Sequence, residues 1–362
     1  QYKDRVIYFE ANEHYFLGEP KTKYLQFVET DDSDMVAGVQ TGRIDIGAPS
    51  FAKAIADQIA SYNDNGEISG TIIKTITYDN LGYGYIGLNA ESVNVGGEPG
   101  SEASKNLRKG LATILAQQRE LAVNSYYGDA ASVIEYPISN TSWAAPQPAD
   151  EGYEVAYSKD VNGEEIYTSG MSEDEAAEAA VNAARGFLKA AGYTFDENGK
   201  ATAAPEGAKL EYEVIVPAEG KGNHPSFSLV NAARDLFAEL GITLHINDPA
   251  DSGLLWDALE AGTAELWCAA WGATIDPDMY QIYHSTSRPG YGGSGSNHYR
   301  IADDKLDSLI MEARTSADQA FRKTTYRAAL GVILDWGVEI PVYQRQQCYI
   351  FSEERIDTDT LA

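Results

Sequence analysis

Residues 229–247, LVNAARDLFAELGITLHIN, change period in the middle. Up to Leu240 the apolar residues Leu229, Ala232, Ala233, Leu236, Phe237 and Leu240 recur at helical spacing. Beyond Gly241 they alternate, as they do in a strand. Gly241 is a helix stop, because glycine enters the left-handed conformation that ends helices without a Cβ clash. Pro225 stands where the helix opens. Upstream, LEYEVIV (210–216) reads as a strand. Downstream, a helix over about 252–261 is stopped by Gly262, and AELWCAAW (264–271) is again a strand. Strand, helix, strand, helix, strand at this spacing is the pattern of a parallel α/β sheet, whose ligands sit beyond the carboxyl ends of the strands.

Further out the pattern persists. In SEDEAAEAAVNAARGFLKAAG (172–192), Ser172 and Glu175 make a capping box and acids fill the first turn. Another helix is predicted over 104–123, with Leu107, Leu111, Ile114, Leu115 and Leu121 on its apolar face and Arg108 and Arg119 on other faces. Residues 137–172, rich in Pro, Gly, Tyr and charge, read as a long irregular loop with a hairpin at Asn162-Gly163, and loops of this length are often functional. The first eighty residues alternate strands with a short helix carrying Met35, Val36 and Val39. GTIIKTITYDN and GYGYIGLNA read as a strand pair turning at Asp79-Asn80. Near the end, Leu306, Leu309, Ile310 and Ala313 mark one helix, and Phe321, Thr325, Ala328, Val332 and Trp336 a longer one. EIPVYQRQQCYIF closes the pattern as a strand.

Composition excludes several classes of function. The net charge of −28 over 362 residues argues against a nucleic-acid partner, since phosphate binding rests on Lys and Arg. No run of about 18 apolar residues suggests a membrane span. Cys268 and Cys348 lie outside any zinc-ligand spacing. They read as two buried thiols or as one disulfide between neighbouring strands. The five histidines are scattered, and no metal site or cofactor is expected. No nucleophile-elbow, P-loop or dinucleotide motif is present, and the glycine-rich GYGGSGS (290–296) reads as a flexible loop. The chain starts at Gln1, which is read as the result of processing or engineering.

The richest cluster is LWCAAWGATIDPDMYQIYHS (266–285). Trp267 and Trp271 are four apart and share one face of a strand, with Trp271 nearer its carboxyl end. The first reads as core and the second as a cleft wall. Trp256, on the preceding helix, is either core or a second aromatic wall. Asp276-Pro277-Asp278 has the chemistry of a helix start, with Asp276 as N-cap and Pro277 at the first position. One of the two acids is also a candidate to meet a ligand ammonium.

The order of these pieces resembles the solute-binding proteins of peptide-type ABC importers. NEHYFLGEP (Asn12, Tyr15, Phe16, Gly18 and Pro20) and then TGRIDIG (Gly42, Arg43, Ile44 and Asp45) match a characteristic pair of motifs in that family. YIGLN, LRKGLATILAQQREL, LFAELGITLHI, AAWGATIDPDMYQIYHS, KLDSLIMEAR and IPVYQRQQ follow in the family's order. In the second of these Gln118 stands where an aspartate is usual.

The resemblance implies a type II periplasmic-binding-protein-like α/β fold, with two lobes around a cleft and the first lobe incomplete. Residues 1–84 with 344–362 are expected in lobe I and 85–343 in lobe II. The chain reads as an N-terminally truncated fragment, because the family carries a further segment before the Asn-x-x-Tyr element. The implied role is capture of a peptide, or a related small solute such as a nickel chelate, haem or sugar, for delivery to a membrane permease. The protein would be a monomer, extracellular as a membrane-anchored lipoprotein or periplasmic, and would do no catalysis. The alternative is a cleft hydrolase using carboxylates on peptides or glycans. The expected ligand-binding set is Trp271, Trp256, Tyr85, Asn89, Thr274, Asp276, Asn297 and Tyr343. Thr274 stands where the family often has the aspartate that holds a peptide ammonium, so recognition either passes to Asp276 or does not use the amino end.

Overall fold

A computed structural model describes residues 1–360. The chain forms two compact units, residues 1–78 with 347–362 and residues 79–346.

The first unit opens with the antiparallel sheet β1 (Tyr2–Lys3), β2 (Val6–Glu10) and β3 (Tyr24–Val28). α1 (Asp32–Gln40), β4 (Ile46–Gly47), α2 (Lys53–Tyr62) and β5 (Ile73–Asp79) follow. Val36 and Val39 of α1 pack inward with Ile59 and Ile73, and Gly42, at φ 71°, lets the chain leave the helix.

The second unit contains β6 (Gly82–Leu88), α3 (Glu102–Gln117), α4 (Arg119–Ala122), β7 (Ala131–Val133), α5 (Glu173–Ala190), β8 (Thr194–Phe195) and β9 (Ala201–Ala203). Then come β10 (Glu211–Ile215), α6 (Phe227–Glu239), β11 (Thr243–Asn247), α7 (Gly253–Ala261) and β12 (Leu266–Gly272). α8 (Tyr280–Tyr283), α9 (Asp304–Ala313), α10 (Gln319–Trp336) and β13 (Glu339–Ser352) complete it, the last residues of β13 belonging to the first unit.

The α/β run predicted from sequence is present. β10 lies between β11 and β12, parallel to both. α6 ends before Gly241 and α7 before Gly262, both in the left-handed region. Ser172 and Glu175 form the capping box of α5.

The sheet is mixed, however, not parallel throughout. β6 is antiparallel to β12 on one side and to β13 on the other. The predicted β5–β6 pair is therefore corrected: the two strands are not neighbours, and β5 pairs with β13. Every residue of β6 is buried, so it belongs at the centre of the sheet with both edges covered.

Glycine makes that centre possible. A Cβ on Gly87 would stand 2.3 Å from the Trp267 ring, and one on Gly84 2.1 Å from the Tyr343 ring. Two aromatic rings thus lie flat on the strand.

The arginines of α3 and α4, read only as lying off the apolar face, do not face solvent. Arg108 is fully buried and Arg119 nearly so. Arg108 donates to the carbonyls of Trp336, Val93 and Pro99. Arg119 donates to those of Ala116, Ile134 and Pro341 and to the Glu135 carboxylate. α3 is covered on nearly every side, and its Arg108 meets backbone rather than solvent. Cys268 and Cys348 are both buried and not bonded to each other, and Cys348 belongs to the first unit.

Candidate functional site

β6 runs antiparallel to β12, so the start of one lies beside the end of the other. Tyr83 is paired with Trp271 and Gly82 with Gly272. A cavity of about 120 Å³ opens at this carboxyl end of β12. Its walls are Tyr83, residues 137–139 with Ser142, and the turn from Trp271 through Asp276 and Asp278 to Tyr283. A larger, polar groove of about 630 Å³ lies between α3, α10 and residues 152–163. The smaller site is the better candidate because it stands where the strands of the sheet end and where aromatic faces and fixed polar groups converge.

Trp271 is half-buried and rigid. Its ring stacks on Tyr85 at 5.8 Å and 5°, and its Nε1 donates to the Tyr299 hydroxyl at 3.0 Å. Behind it stand Trp267, Tyr283 and Tyr299, with Trp267 and Tyr299 at 5.4 Å and Tyr283 and Tyr299 stacked at 5.5 Å. Tyr283 donates to Glu339 Oε2 at 2.6 Å and shares a 3.1 Å hydrogen bond with Tyr83. Glu339 is fully buried, and burial pushes its carboxyl up to about 7 against the lowering effect of the tyrosine hydroxyls.

Asp276 is paired, and its partner corrects the helix-start reading. Arg322 of α10 donates to both carboxylate oxygens, at 2.7 and 3.2 Å. The same guanidinium reaches the Tyr326 hydroxyl and lies 5.5 Å over the Trp143 ring. Hydrogen bonding to Arg322 is the main reason the Asp276 carboxyl lies below its ordinary value. The Asp278 amide also donates to Asp276 Oδ1. α8 begins only at Tyr280, so Asp276 caps no helix. Its carboxylate is drawn to α10 and closes a two-residue turn instead. Thr274 donates to the Asp276 carbonyl at 2.7 Å, which engages the hydroxyl proton in the same turn.

The structure brings Trp271, Thr274 and Asp276 together on this cavity and sets Tyr85 directly beneath Trp271. The other four expected residues are not among its lining. Asn89 is buried with its amide on the carbonyls of Gly262 and Ala264. Asn297 is buried and donates to the carbonyls of Tyr283, His284 and Ile301. These two amides fix the chain around the site. Tyr343 is buried over Gly84 and against Tyr127. Trp256 is half-exposed on α7 beside His298. Sequence reasoning missed Tyr83, Tyr283, Glu339 and Arg322. Tyr283 did lie inside the aromatic cluster, but the others carry no local signal.

The mixed α/β organisation is that of the type II periplasmic-binding-protein fold. The profile of the bacterial extracellular solute-binding proteins, family 5 Middle, matches residues 1–293, and the chain belongs to that family. Solved structures agree on the fold. The oligopeptide-binding protein AppA of Bacillus subtilis, in complex with a nonapeptide, is 20% identical with a TM-score of 0.68, over 98% of this chain and 61% of its own. NikZ of Campylobacter jejuni, in complex with Ni(L-His), is 20% identical with a TM-score of 0.68, over 97% of this chain and 61% of its own. The dipeptide-binding protein of Pseudoalteromonas sp. SM9913, in complex with Met-Leu, is 19% identical with a TM-score of 0.65, over 97% of this chain and 59% of its own. The chain thus spans about three-fifths of the length of these relatives. No curated protein matches it in sequence. Among the described residues no helix is long and apolar enough to cross a membrane.

Proposed function

We propose that this chain belongs to the extracellular solute-binding component of an ABC importer. It takes up a peptide, holds part of it against Trp271, and hands it to a membrane permease without chemical change. The carrying observation is the pinned Trp271 face on a cavity at the carboxyl end of β12. A rigid aromatic surface of this kind loses little entropy on binding a side chain. Two of the three relatives above were solved with peptides, which favours a peptide over a nickel chelate. On this reading Trp271, Thr274 and Asp276 border the ligand. Tyr85, Asn89, Asn297 and Tyr343 hold that border in place, and Trp256 stands apart. The protein works as a monomer outside the membrane, lipid-anchored or periplasmic.

The test is mass spectrometry of whatever the purified protein releases on denaturation, followed by titration with the peptide recovered. Trp271→Ala is expected to weaken that peptide by about 1–3 kcal/mol, the range of an aromatic anchor. Release of a metal chelate in place of peptide, or a Trp271→Ala variant that binds as well as the parent, overturns the reading.

The Arg322 pairing carries a second expectation. Asp276 already receives two guanidinium bonds, so a peptide ammonium would have to displace them. N-acetylating the recovered peptide is therefore expected to change affinity by far less than the roughly 1.5–3 kcal/mol of a charge-assisted hydrogen bond. Calorimetry on the two forms measures it. A loss in that full range would show that a carboxylate of the site does meet the ammonium.

A further inference from the structure

We propose that the groove between α3, α10 and residues 152–163 is a second binding site, for a small hydroxylated monocarboxylate that Arg327 grips by its carboxylate. The groove holds about 630 Å³ and lies wholly in the second unit. It shares no lining residue with the Trp271 cavity, so the inference stands apart from the peptide reading.

Charge points to the carboxylate. The sequence carries 55 acids against 27 Lys and Arg, so partners for a cation are in excess. The other cations of the groove have taken theirs. Lys109 Nζ is 2.7 Å from Asp335 Oδ1, and Lys159 Nζ is 2.6 Å from Glu154 Oε1. Arg327 makes no hydrogen bond or ion pair among the described residues. Asp150 feels its charge but is bonded elsewhere, to Lys323 at 3.0 Å and to the Gln147 amide. The acids of the groove are also engaged. Asp335 is shared by Lys105 and Lys109, and Glu102 lies 3.4 Å from Lys105. Asp160 accepts from the amides of Asn162 and Glu164 in its own turn. One guanidinium is left over, and its planar fork matches one carboxylate through two parallel bonds. A second negative charge on the ligand would find no free cation on these walls, which sets the ligand charge at −1.

Shape points the same way. Gly331 lies one turn beyond Arg327 on α10, on the same face. It is exposed inside an 18-residue helix, where glycine weakens the element and almost any other side chain would strengthen it. Packing does not require it, because a Cβ there would meet nothing within 4 Å. Its bareness widens the floor of the groove beside Arg327. Across from it, Asn106 of α3 lines the groove, and its amide has no hydrogen bond among the described residues. A free amide offers both a donor and an acceptor, which suits hydroxyl groups. The guanidinium itself rests on the loop: a Cβ on Gly152 would stand 3.3 Å from Arg327 Nη2. That loop is held in place beforehand. Tyr157, at φ 58°, occupies the left-handed region that a tyrosine rarely enters, and its hydroxyl donates to the buried Glu339 carbonyl at 2.6 Å. The Ala156 amide donates to Glu135 and the Glu154 amide to the Tyr136 hydroxyl. A wall fixed in advance loses little entropy on binding.

The experiment titrates the ¹⁵N-labelled full chain with gluconate and follows the Nε–Hε resonance of Arg327, assigned with Arg327→Lys. Glucitol supplies the same body without the carboxylate, and glucarate supplies two carboxylates. Gluconate is expected to shift the resonance saturably, glucitol to leave it in place, and glucarate to bind more weakly than gluconate. By calorimetry Arg327→Lys is expected to bind gluconate about tenfold or more weakly, because a point charge cannot make the paired contact. Gly331→Leu is expected to unfold at a higher temperature than the parent, since leucine favours a helix and meets open space. It is nonetheless expected to lose gluconate by a similar factor, because the side chain fills the groove. Loss of binding together with gained stability separates occlusion from misfolding. A resonance that gluconate never moves overturns the proposal. So does an equal response to glucitol, glucarate binding as tight as gluconate, or full binding by Gly331→Leu.

Discussion

Replacing Arg108 with methionine is expected to destabilise the second unit by at least about 2 kcal/mol, from the orphaning of two buried carbonyls, those of Trp336 and Val93, at roughly 1–3 kcal/mol each, with the part-buried Pro99 carbonyl adding less. The side chain is completely buried on α3. Its Nε, Nη1 and Nη2 donate to the carbonyls of Trp336, Val93 and Pro99 at 2.7, 2.9 and 2.8 Å. One guanidinium therefore ties α3 to the end of α10 and to the loop over 93–99. It also lies 5.4 Å over the Trp336 ring. Methionine fills much of the volume and adapts to irregular space, so the loss isolates the polar part of the interaction. Denaturant unfolding of parent and variant, at matched m-values, measures it. A difference below about 1 kcal/mol, the worth of one ordinary hydrogen bond, would show that water replaces the guanidinium and that the three carbonyls were never dependent on it.

Trp267→Ala is expected to cost about 3–5 kcal/mol, the range for removing a buried aromatic from a close-packed core. Trp267 is fully buried, its ring lies on the bare backbone of Gly87, and its Nε1 reaches the Tyr85 hydroxyl at 3.4 Å. The backbone of β6 cannot fill the space, since the strand is held on both edges by β12 and β13. Tyr85 then loses support from below while still carrying Trp271 above. The same variant is thus expected to loosen Trp271. That is measured as a lower steady-state anisotropy of tryptophan emission, compared with a Trp271→Phe control. An unfolding free energy within about 1 kcal/mol of the parent would mean that the core collapses into the gap.

Much of this was legible in the sequence, and for a local reason. The run from β10 to β12 shows in apolar residues spaced at the period of each element, and its stops show at Gly241 and Gly262. The capping box of α5 is two residues three positions apart. The place of Trp271 at a strand end follows from the same counting. Each of these signals lies within a few residues of the structure it predicts.

What the tertiary structure alone decided lies between residues far apart in the chain. β5 and β6 look like a pair because they are adjacent in sequence, but the fully buried β6 goes to the middle of the sheet. The helical period sets Arg108 and Arg119 on faces other than the apolar one. It says nothing of what packs against those faces. Asp276 looks like a helix cap until Arg322, 46 positions on, takes both its oxygens. Glu339 has nothing in its own strand to mark it, and it meets Tyr283, 56 positions away, only when β13 docks beside β6. Periodicity is set by chain geometry and survives in isolation. The partner of a buried charge or hydroxyl is set by which surfaces exclude water together, and that exists only once the sheet and its helices have closed.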